Sequence, residues 1–443
     1  MFYITESDIQ IEALLEYSEV RSYIEIISTN DLYHPKLVET VAVYIRPISA
    51  EQGYILPVTH DEGLNLDKSR VYQILKQFNK LYTVDKKQLL YHFNLQAATD
   101  VSLLASMKYY KKLEPAIKTN TYNWYYGKYA ELPQLNRIVP LTKLYENCEN
   151  SFKAVQKYIE DESELPSGFD FYNTTATNVF YLIEQTGIGI NEKVFLELFK
   201  TKVKEFNITD NVVYSYYNLY NTTSRPSNAF NSINFAAIPK EHGYRESFEP
   251  QNDYFVELDF DGYHIRLLCE QIGYELNENS AHGQLAKLYY KKDNISDEDY
   301  AKAKQVNFQA IYGRIPEEYR NLEIFKLIQQ YIDQMWAEFQ KNGKILAPIS
   351  EKPFTSALED MNPQKLMNYV MQSMETSRNI KVLKELLGYL QNKHSKIALY
   401  VYDAIILDFS KEDGKETLEE VQRIMEAGGK YPVKFKYAKN LVL

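Results

Sequence analysis

The pattern of apolar and polar residues predicts strands in the first part of the chain. Residues 21–28 (RSYIEIIS) and 37–46 (LVETVAVYIR) are short runs rich in Ile, Val and Tyr, and 53–58 (GYILPV) adds a third. Such runs favour strands because branched and aromatic side chains pack well on a pleated surface. The spacing changes in 69–82 (SRVYQILKQFNKLY), where it predicts a helix. This first part is therefore predicted to be α/β.

A change of pattern predicts two domains, 1–165 and 166–443. The stretch DESELPSG at 161–168 is acidic and carries Pro and Gly, which is typical of a connecting segment. Beyond it, residues 175–187 have apolar positions at helical spacing and end on a glycine. A second helix is predicted after Asn191.

Two aspartates lie where predicted strands end. Residues 254–260 (YFVELDF) predict a buried strand followed by a helix, which puts Asp259 at the end of the strand. Residues 396–409 (KIALYVYDAIILDF) predict two strands of a hairpin, with Asp403 in or beside the turn. A single Asp at such a position is usually a cap or a turn residue. Each therefore needs a partner before it indicates chemistry.

A third segment, 295–315, predicts a helix with a cation and two rings on one face. Ser296 opens the helix with a capping box, and Lys304, Phe308 and Tyr312 follow at intervals of four residues. Such a face suits a triphosphate with a base stacked behind it. The same spacing is also typical of an aromatic stripe in a core.

Composition narrows the class of protein. With 443 residues, 45% hydrophobic and 25% charged, the chain is an ordinary globular protein and not a collagen or a disordered tail. No run approaches about 18 apolar residues, and MFYITESDIQ resembles no targeting segment. We therefore expect no membrane partner and a cytoplasmic location. Cys148 and Cys269 have no zinc-like spacing and are expected to be buried thiols.

Charge and aromatic content leave nucleic-acid binding open. The net charge of −10 argues only weakly against it, because a groove can be basic on an acidic molecule. The 39 Tyr residues offer stacking faces, although an AT-rich coding sequence produces the same enrichment.

Together, the three segments resemble motifs A, B and C of family A DNA polymerases, the group of bacterial DNA polymerase I and related phage replicases. NTTSRPSNAFNSINFAAIP at 221–239 is similar to the family's Thr-Gly-Arg-Leu-Ser-Ser and Pro-Asn-Leu-Gln-Asn-Ile-Pro, and NYVMQ at 368–372 to its Asn-x-x-x-Gln. The resemblance covers 171–443. It implies a right-hand α+β polymerase fold, with an antiparallel palm sheet, helical fingers at about 274–345 and a short or vestigial thumb at about 194–222.

The resemblance implies that dNTPs are added to a primer 3′-hydroxyl by two-metal phosphoryl transfer. Asp259 and Asp403 match the aspartates that bind two Mg²⁺ ions, with Mn²⁺ as a substitute, and Phe260 lends a backbone carbonyl. Lys304 matches the lysine that contacts the triphosphate and is a candidate general acid for pyrophosphate. Phe308 matches the ring on sugar and base, and as Phe it implies discrimination against dideoxynucleotides.

Primer-template DNA is the second partner that the resemblance implies. Tyr312 matches the tyrosine that stacks near the templating base. The residues that match primer- or template-contacting positions are Arg225, Asn234, Arg266, Tyr312, Asn368 and Gln372. The location implied is the cytoplasm of a bacterial or phage-infected cell.

Departures from the family pattern keep two other functions open. His264 stands in the nucleotide site where family members have the Glu that excludes the ribose 2′-hydroxyl. An RNA or primer-synthesising polymerase with relaxed sugar selection is therefore one alternative. Tyr300 replaces an Arg that contacts the triphosphate, and Tyr402 and Ala404 flank Asp403 where His and Glu are usual. A catalytically dead nucleic-acid-binding protein is the other alternative.

The reduced thumb predicts low intrinsic processivity, since a thumb grips product duplex largely through its phosphates. Another protein, such as a processivity factor, would then supply the clamp.

The first domain resembles the RNase H-like 3′–5′ exonuclease domain of the same family. YIEIISTND matches the first motif, with Ile24 and Ile26 in place of the metal-binding Asp and Glu, and Asp85 is a candidate second-motif Asp. Apolar side chains cannot hold a hard cation. We therefore predict an inactive exonuclease-like domain and no proofreading.

Overall fold

A computed structural model describes residues 3–5, 7–113, 116–199, 208–228, 233–312 and 314–443. The strands are β1 Tyr3–Ile4, β2 Ser22–Ser28, β3 Thr40–Pro47, β4 Tyr54–Pro57, β5 Leu81–Thr83, β6 Ala98–Asp100, β7 Ile188–Ile190, β8 Val212–Val213, β9 Tyr217–Asn218, β10 Ser227–Asn228, β11 Phe248–Glu249, β12 Tyr254–Phe260, β13 Lys344–Leu346, β14 Pro353–Thr355, β15 Lys396–Val401, β16 Ala404–Phe409 and β17 Val433–Ala438.

The helices are α1 Asp8–Leu15, α2 Lys68–Leu75, α3 Lys86–Phe93, α4 Val101–Lys108, α5 Asn120–Tyr129, α6 Leu135–Ile138, α7 Leu141–Glu160, α8 Thr177–Glu184, α9 Glu192–Leu198, α10 Tyr263–Ile272, α11 Ala281–Tyr290, α12 Asp297–Ile311, α13 Glu323–Asn342, α14 Pro363–Tyr389 and α15 Lys415–Glu426. A π-helical turn at Phe171–Ala176 leads into α8. None of these helices is long and apolar enough to cross a membrane, within the part of the chain that is described.

The chain divides into two compact units. The first comprises Met1–Gly187, Leu196–Tyr220 and Asn228–Asn234, and the second comprises the remainder. The boundary predicted between residues 165 and 166 stays a prediction.

The first unit is built on a mixed six-stranded sheet with the order β1-β4-β3-β2-β5-β6. Its central strands β2 and β3 pair antiparallel, whereas β2 and β5 pair parallel. One face of the sheet packs against α1, α2 and α3 through a core that includes Leu14, Ile24, Val71 and Leu89. On β2 the residue before Ile24, Tyr23, points to the opposite face, where its ring lies 6.1 Å from the ring of Phe152 in α7.

The second unit is built on an antiparallel four-stranded sheet with the order β15-β16-β12-β17. Helix α14 is buried along much of its length and packs beside α10, α13 and α15. The contact with α10 is partly polar, since the Tyr263 hydroxyl donates to Asn379 Oδ1 at 2.6 Å. Helices α11, α12 and α13 form a helical region between β12 and the hairpin of β13 and β14.

The structure confirms most of the predicted elements and corrects one. The strands predicted near 21–28, 37–46 and 53–58 are β2, β3 and β4, with boundaries that differ by a few residues. The helix predicted over 69–82 ends at Leu75, and Leu81–Thr83 forms β5 instead. The reason is non-local: Leu81 and Tyr82 pair with Ser22 and Tyr23, and this sheet pairing overrides the local helical spacing.

Candidate active site

Two carboxylates meet at one end of the sheet in the second unit. Asp259 is the next-to-last residue of β12, and its register partner on β16 is Ala404. Asp403 precedes Ala404 in the tight turn between β15 and β16. The turn residue before it, Tyr402, has a left-handed backbone with φ of 58°. The hairpin thus brings Asp403 beside Asp259, although 143 residues separate them in sequence.

Burial and like charge raise the pKa values of both carboxylates. Burial is the main cause of the rise in the pKa of Asp259 to about 6, and the charge of Asp403 adds to it. Burial and then the charge of Glu375 raise the pKa of Asp403. Nearby basic side chains are engaged elsewhere: Arg225 pairs with Glu375, and Lys434 with Asp261.

This donor set fits a hard divalent cation with few protein ligands. Two half-buried carboxylates that repel one another are stabilised when a cation binds between them. Among the described residues, no group of three or more His, Cys, Asp and Glu side chains is arranged to hold a metal. Asp259 and Asp403 therefore offer two ligands, and a substrate or water would have to supply the others.

Helix α12 presents a cation and a ring that are not part of a core. Ser296 caps the helix, as its hydroxyl accepts from the Asp299 amide at 3.1 Å. Lys304 is exposed, and the Phe308 side chain is 42% exposed with its ring centre 5.9 Å from Lys304 Nζ. This exposure favours a binding face over a buried aromatic stripe.

A cavity of about 140 Å³ joins the carboxylates to this helix face. Asp259, Asp403, Lys304, Phe308 and His264 line it, together with Phe260 from the end of β12. The cavity therefore brings together two carboxylates, a cation and an aromatic ring.

His264 is held at the cavity wall by a fully buried glutamate. Glu375 of α14 has no exposed side-chain surface; its Oε2 lies 2.6 Å from His264 Nε2 and its Oε1 accepts from Arg225 at 2.9 Å. Burial alone would raise the pKa of Glu375, but His264 and Arg225 lower it below its usual value. The Arg225 guanidinium also lies over the Tyr402 ring at 4.3 Å, and the Tyr312 hydroxyl lies 3.5 Å from His264 Nδ1.

Gly262 sets the direction of the helix that carries His264. Its φ of +59° is left-handed, and a Cβ at this position would lie 2.7 Å from Ala281 Cβ and 3.2 Å from Ile265 Cγ2. Gly273 ends the same helix with φ of +67°, but no described heavy atom lies within 4 Å of a Cβ there. Both glycines therefore have a left-handed backbone, but only at Gly262 would a Cβ also meet close neighbours.

Gly262→Ala is expected to lower the free energy of unfolding by about 3 kcal/mol, because it adds overpacking to left-handed strain. Gly273→Ala, with strain alone, should cost about 1 kcal/mol. Urea unfolding of the two variants beside the wild type measures the difference. Equal losses would mean that the approach of Ala281 to Gly262 does not constrain the site.

Neither protein-family models nor curated protein sequences match the chain. The structure matches the polymerase domain of Pol1 from M. smegmatis, in a complex with DNA primer-template and dNTP, with a TM-score of 0.66. The alignment covers 99% of each chain at 13% sequence identity. The chain has the fold of this Pol1 domain. At this identity the fold is shared, and the chemistry has to be argued from the residues.

Within this Pol1-type fold, four of the residues predicted to contact primer or template lie in the second unit near α12 or α14. Tyr312 and Asn368 line a second cavity of about 430 Å³ that also reaches Phe308. Gln372 donates to Asn368 Oδ1 at 2.8 Å and accepts from the Thr223 hydroxyl at 3.2 Å. Arg225 forms the ion pair with Glu375 already described.

The other two predicted contacts have different surroundings. Arg266 is buried, and its guanidinium donates to the carbonyls of Asp261, Glu278 and Asn279 at 2.7–2.9 Å. These contacts support a structural role that ties β12 to the start of α11. Asn234 is exposed and belongs to the first unit. The thumb predicted at about 194–222 lies partly outside the described residues.

Sequence reasoning missed four residues at this site. His282, Asp261 and Lys434 line the 140 Å³ cavity, and Glu375 holds His264. The alternation in VKFKYA, which places Lys434 and Lys436 on one face of a strand, was a usable signal, but it does not say which strand pairs with it. No local pattern indicates Glu375, because α14 carries several other charged residues along its length.

A separate cavity of about 470 Å³ lies in the first unit, beside the predicted first exonuclease motif. Glu25, Asp31, Asp85 and Lys118 are among its lining residues. Ile24, predicted in place of a metal-binding Asp, is fully buried in the core on the other face of β2. Ile26, the other position of the predicted motif, lines the cavity beside Glu25, so the assignment of this motif stays a prediction.

The carboxylates of this cavity have a cation of the protein beside them. Burial alone would lower the pKa of Lys118, but the charges of Asp31 and Glu25 raise it above its usual value. Burial raises the pKa of Glu25. Asp85 caps α3 by accepting from the Lys87 amide at 3.1 Å, and it also accepts from the Tyr216 hydroxyl.

Proposed function

We propose that the protein is a template-directed DNA polymerase that adds dNTPs to a primer 3′-hydroxyl. The observation that carries this proposal is the single cavity in which Asp259 and Asp403 face Lys304 and Phe308. Transfer of a nucleotidyl group from a nucleoside triphosphate to a hydroxyl needs ligands for divalent cations and positive charge for the phosphates, and this cavity offers both beside a ring for the base or sugar. The Pol1-type fold supports the proposal, since the matched Pol1 domain is in a complex with DNA primer-template and dNTP.

In this proposal Asp259 and Asp403, with the Phe260 carbonyl, hold Mg²⁺, for which Mn²⁺ can substitute. Bound divalent cations activate the attacking hydroxyl and stabilise charge on the phosphates. Lys304 binds and orients the triphosphate, and it is positioned to donate a proton to the leaving pyrophosphate. Phe308 packs against the sugar and base, so it excludes water from one side of the nucleotide.

The DNA duplex is assigned to the region around the second cavity. Tyr312 and Asn368 line it, next to Phe308, so we propose that they contact the templating base and the terminal base pair. Gln372 and Arg225 extend this surface along α14, toward the primer. In this assignment β12 and its sheet form the palm, and α11 to α13 form the fingers.

We assign deoxyribose selectivity to the wall formed by His264. Glu375 fixes its imidazole, which lies next to Tyr312, so the ring keeps one orientation at the cavity wall, where it would exclude a ribose 2′-hydroxyl. A polymerase with relaxed sugar selection is the second candidate, favoured by the same His264 where the resembled family has Glu. The relative rates with dNTP and NTP decide between the two.

We propose that the first unit does not proofread. Lys118 lies among the carboxylates that line its cavity and neutralises part of the charge that a metal ion would otherwise balance. We further propose that the protein has low intrinsic processivity and that a processivity partner compensates for it. The proposed location is the cytoplasm of a bacterial or phage-infected cell.

Primer extension by one nucleotide tests this function. With Mg²⁺ and a primer-template, the wild type is expected to add the templated dNTP at least about a hundredfold faster than the matching NTP, which corresponds to about 2.7 kcal/mol of discrimination. Chelation by EDTA should stop the reaction. Equal rates with NTP would favour the second candidate, and duplex binding without incorporation would refute both.

A further inference from the structure

Lys434 places a second cation in the nucleotide cavity, on a strand that sequence reasoning did not connect to it. It lies in β17, where its register partner is Asp259 of β12, so the two side chains share one face of the sheet. Its ammonium group pairs with Asp261 instead, one step beyond the end of β12, and lines the cavity together with Lys304 and Tyr300. The lysine therefore faces the part of the cavity beyond the catalytic aspartates.

The charges around the cavity favour a binding role for this lysine. Asp259, Asp261 and Asp403 contribute three carboxylates to the lining, whereas Lys304 and Lys434 contribute two cations. Burial lowers the pKa of His282 to about 4, so this histidine is neutral near pH 7. The affinity of this cavity for a triphosphate therefore depends strongly on each of the two lysines.

Lys434 can bind a ligand in the cavity while it pairs with Asp261. Asp261 Oδ1 already accepts from the Ala281 amide at 2.9 Å, and Arg266 lies 4.0 Å from it. The Lys434 side chain is 62% exposed, whereas that of Asp261 is 3% exposed. An ammonium group has three donors, so the ion pair with Asp261 orients Lys434 and leaves donors for a ligand in the cavity.

We propose that Lys434 binds the pyrophosphate portion of the incoming nucleoside triphosphate, opposite Lys304 across the cavity. This inference rests on the proposed polymerase function and deepens it. Tyr300 lies in the same cavity at the position where the resembled family has a phosphate-binding Arg. Lys434 would thus provide, from the sheet, the positive charge that α12 lacks at Tyr300.

Lys436 provides a matched control. It lies two residues further along β17 with 65% of its side chain exposed, and it pairs with Glu257 at 3.8 Å rather than lining the cavity. Lys436→Gln removes the same charge from the same strand.

The test compares Lys434→Gln, Lys434→Arg and Lys436→Gln in single-nucleotide extension at saturating primer-template. Lys434→Gln is expected to raise KM for the dNTP about tenfold and to weaken pyrophosphate inhibition to a similar extent, as expected for one lost charge-assisted contact. Changes in kcat and in Kd for primer-template should stay within about threefold. Lys434→Arg should recover most of the affinity, and Lys436→Gln should resemble the wild type.

A second measurement does not depend on turnover. With a dideoxy-terminated primer, the dNTP concentration that stabilises the ternary complex in a gel should rise about tenfold for Lys434→Gln alone. An unchanged KM in Lys434→Gln, or an equal rise in Lys436→Gln, would overturn this inference and leave the proposed function intact. Failure of the wild type to incorporate any nucleotide would overturn both.

Discussion

Asp403→Asn is expected to lower the rate of single-nucleotide incorporation at least about a thousandfold, because divalent metal ligation contributes several kcal/mol to phosphoryl transfer. Asp259→Asn should have a similar effect. The double variant should be little worse than either single one, because both residues serve the same metal ions. Single-turnover rates with Mg²⁺ and a saturating primer-template measure these losses.

The same variants should not unfold the protein. The pKa of each aspartate is raised in the folded state, so at neutral pH each charge opposes folding and its removal relieves repulsion. The urea midpoint of Asp403→Asn without divalent ions should therefore equal or exceed that of the wild type. Glu257→Gln, on the same strand as Asp259 but paired with Lys436, is the matched control and should retain activity. Full incorporation by Asp403→Asn would refute the proposed chemistry.

Glu184→Gln is expected to destabilise the first unit by about 3–5 kcal/mol, since it breaks a buried ion pair and leaves a charge without its partner. Glu184 is fully buried, and its Oε1 accepts from Lys87 Nζ at 2.5 Å and from the Tyr217 amide at 2.6 Å. Its Oε2 accepts from the Tyr91 hydroxyl at 2.9 Å. Lys87 Nζ also donates to the Tyr217 carbonyl at 2.5 Å and lies 3.5 Å from the Tyr216 ring centre, so in Glu184→Gln it keeps these contacts but loses its ion pair.

A double-mutant cycle separates this pair from general damage to the core. Lys87→Met should also be strongly destabilising, whereas the double variant should lose less than the sum of the two single losses. Glu162→Gln, at an exposed position of the same unit, should change the free energy of unfolding by no more than about 0.5 kcal/mol. Strict additivity in the cycle would mean that the pair does not act as a unit.

The local part of this structure could be predicted from the sequence, and the pairing between distant segments could not. Alternation placed Asp259 at a strand end and Asp403 in a hairpin turn, because strand periodicity and turn chemistry depend on neighbouring residues. That Lys434 lies opposite Asp259 depends on register between strands far apart in sequence, which no local pattern encodes. The same limit explains why the helical spacing over 69–82 does not reveal the strand Leu81–Thr83.

The partners of buried polar side chains also could not be predicted from the sequence. Glu375 receives contacts from residues 111 and 150 positions away, so its role follows only once α14 is packed against the site. On β2, Glu25 lines the cavity of the first unit while Ile24 lies in the core, and this placement follows from the packing of the sheet rather than from a local pattern.

The most direct test of the central claim is anomalous diffraction from a Mn²⁺ complex with a dideoxy-terminated primer-template and the next dNTP. The account predicts manganese peaks bound by the carboxylates of Asp259 and Asp403, with the triphosphate beside Lys304. Manganese bound elsewhere, or a triphosphate seated in the cavity with no metal on either aspartate, would contradict it.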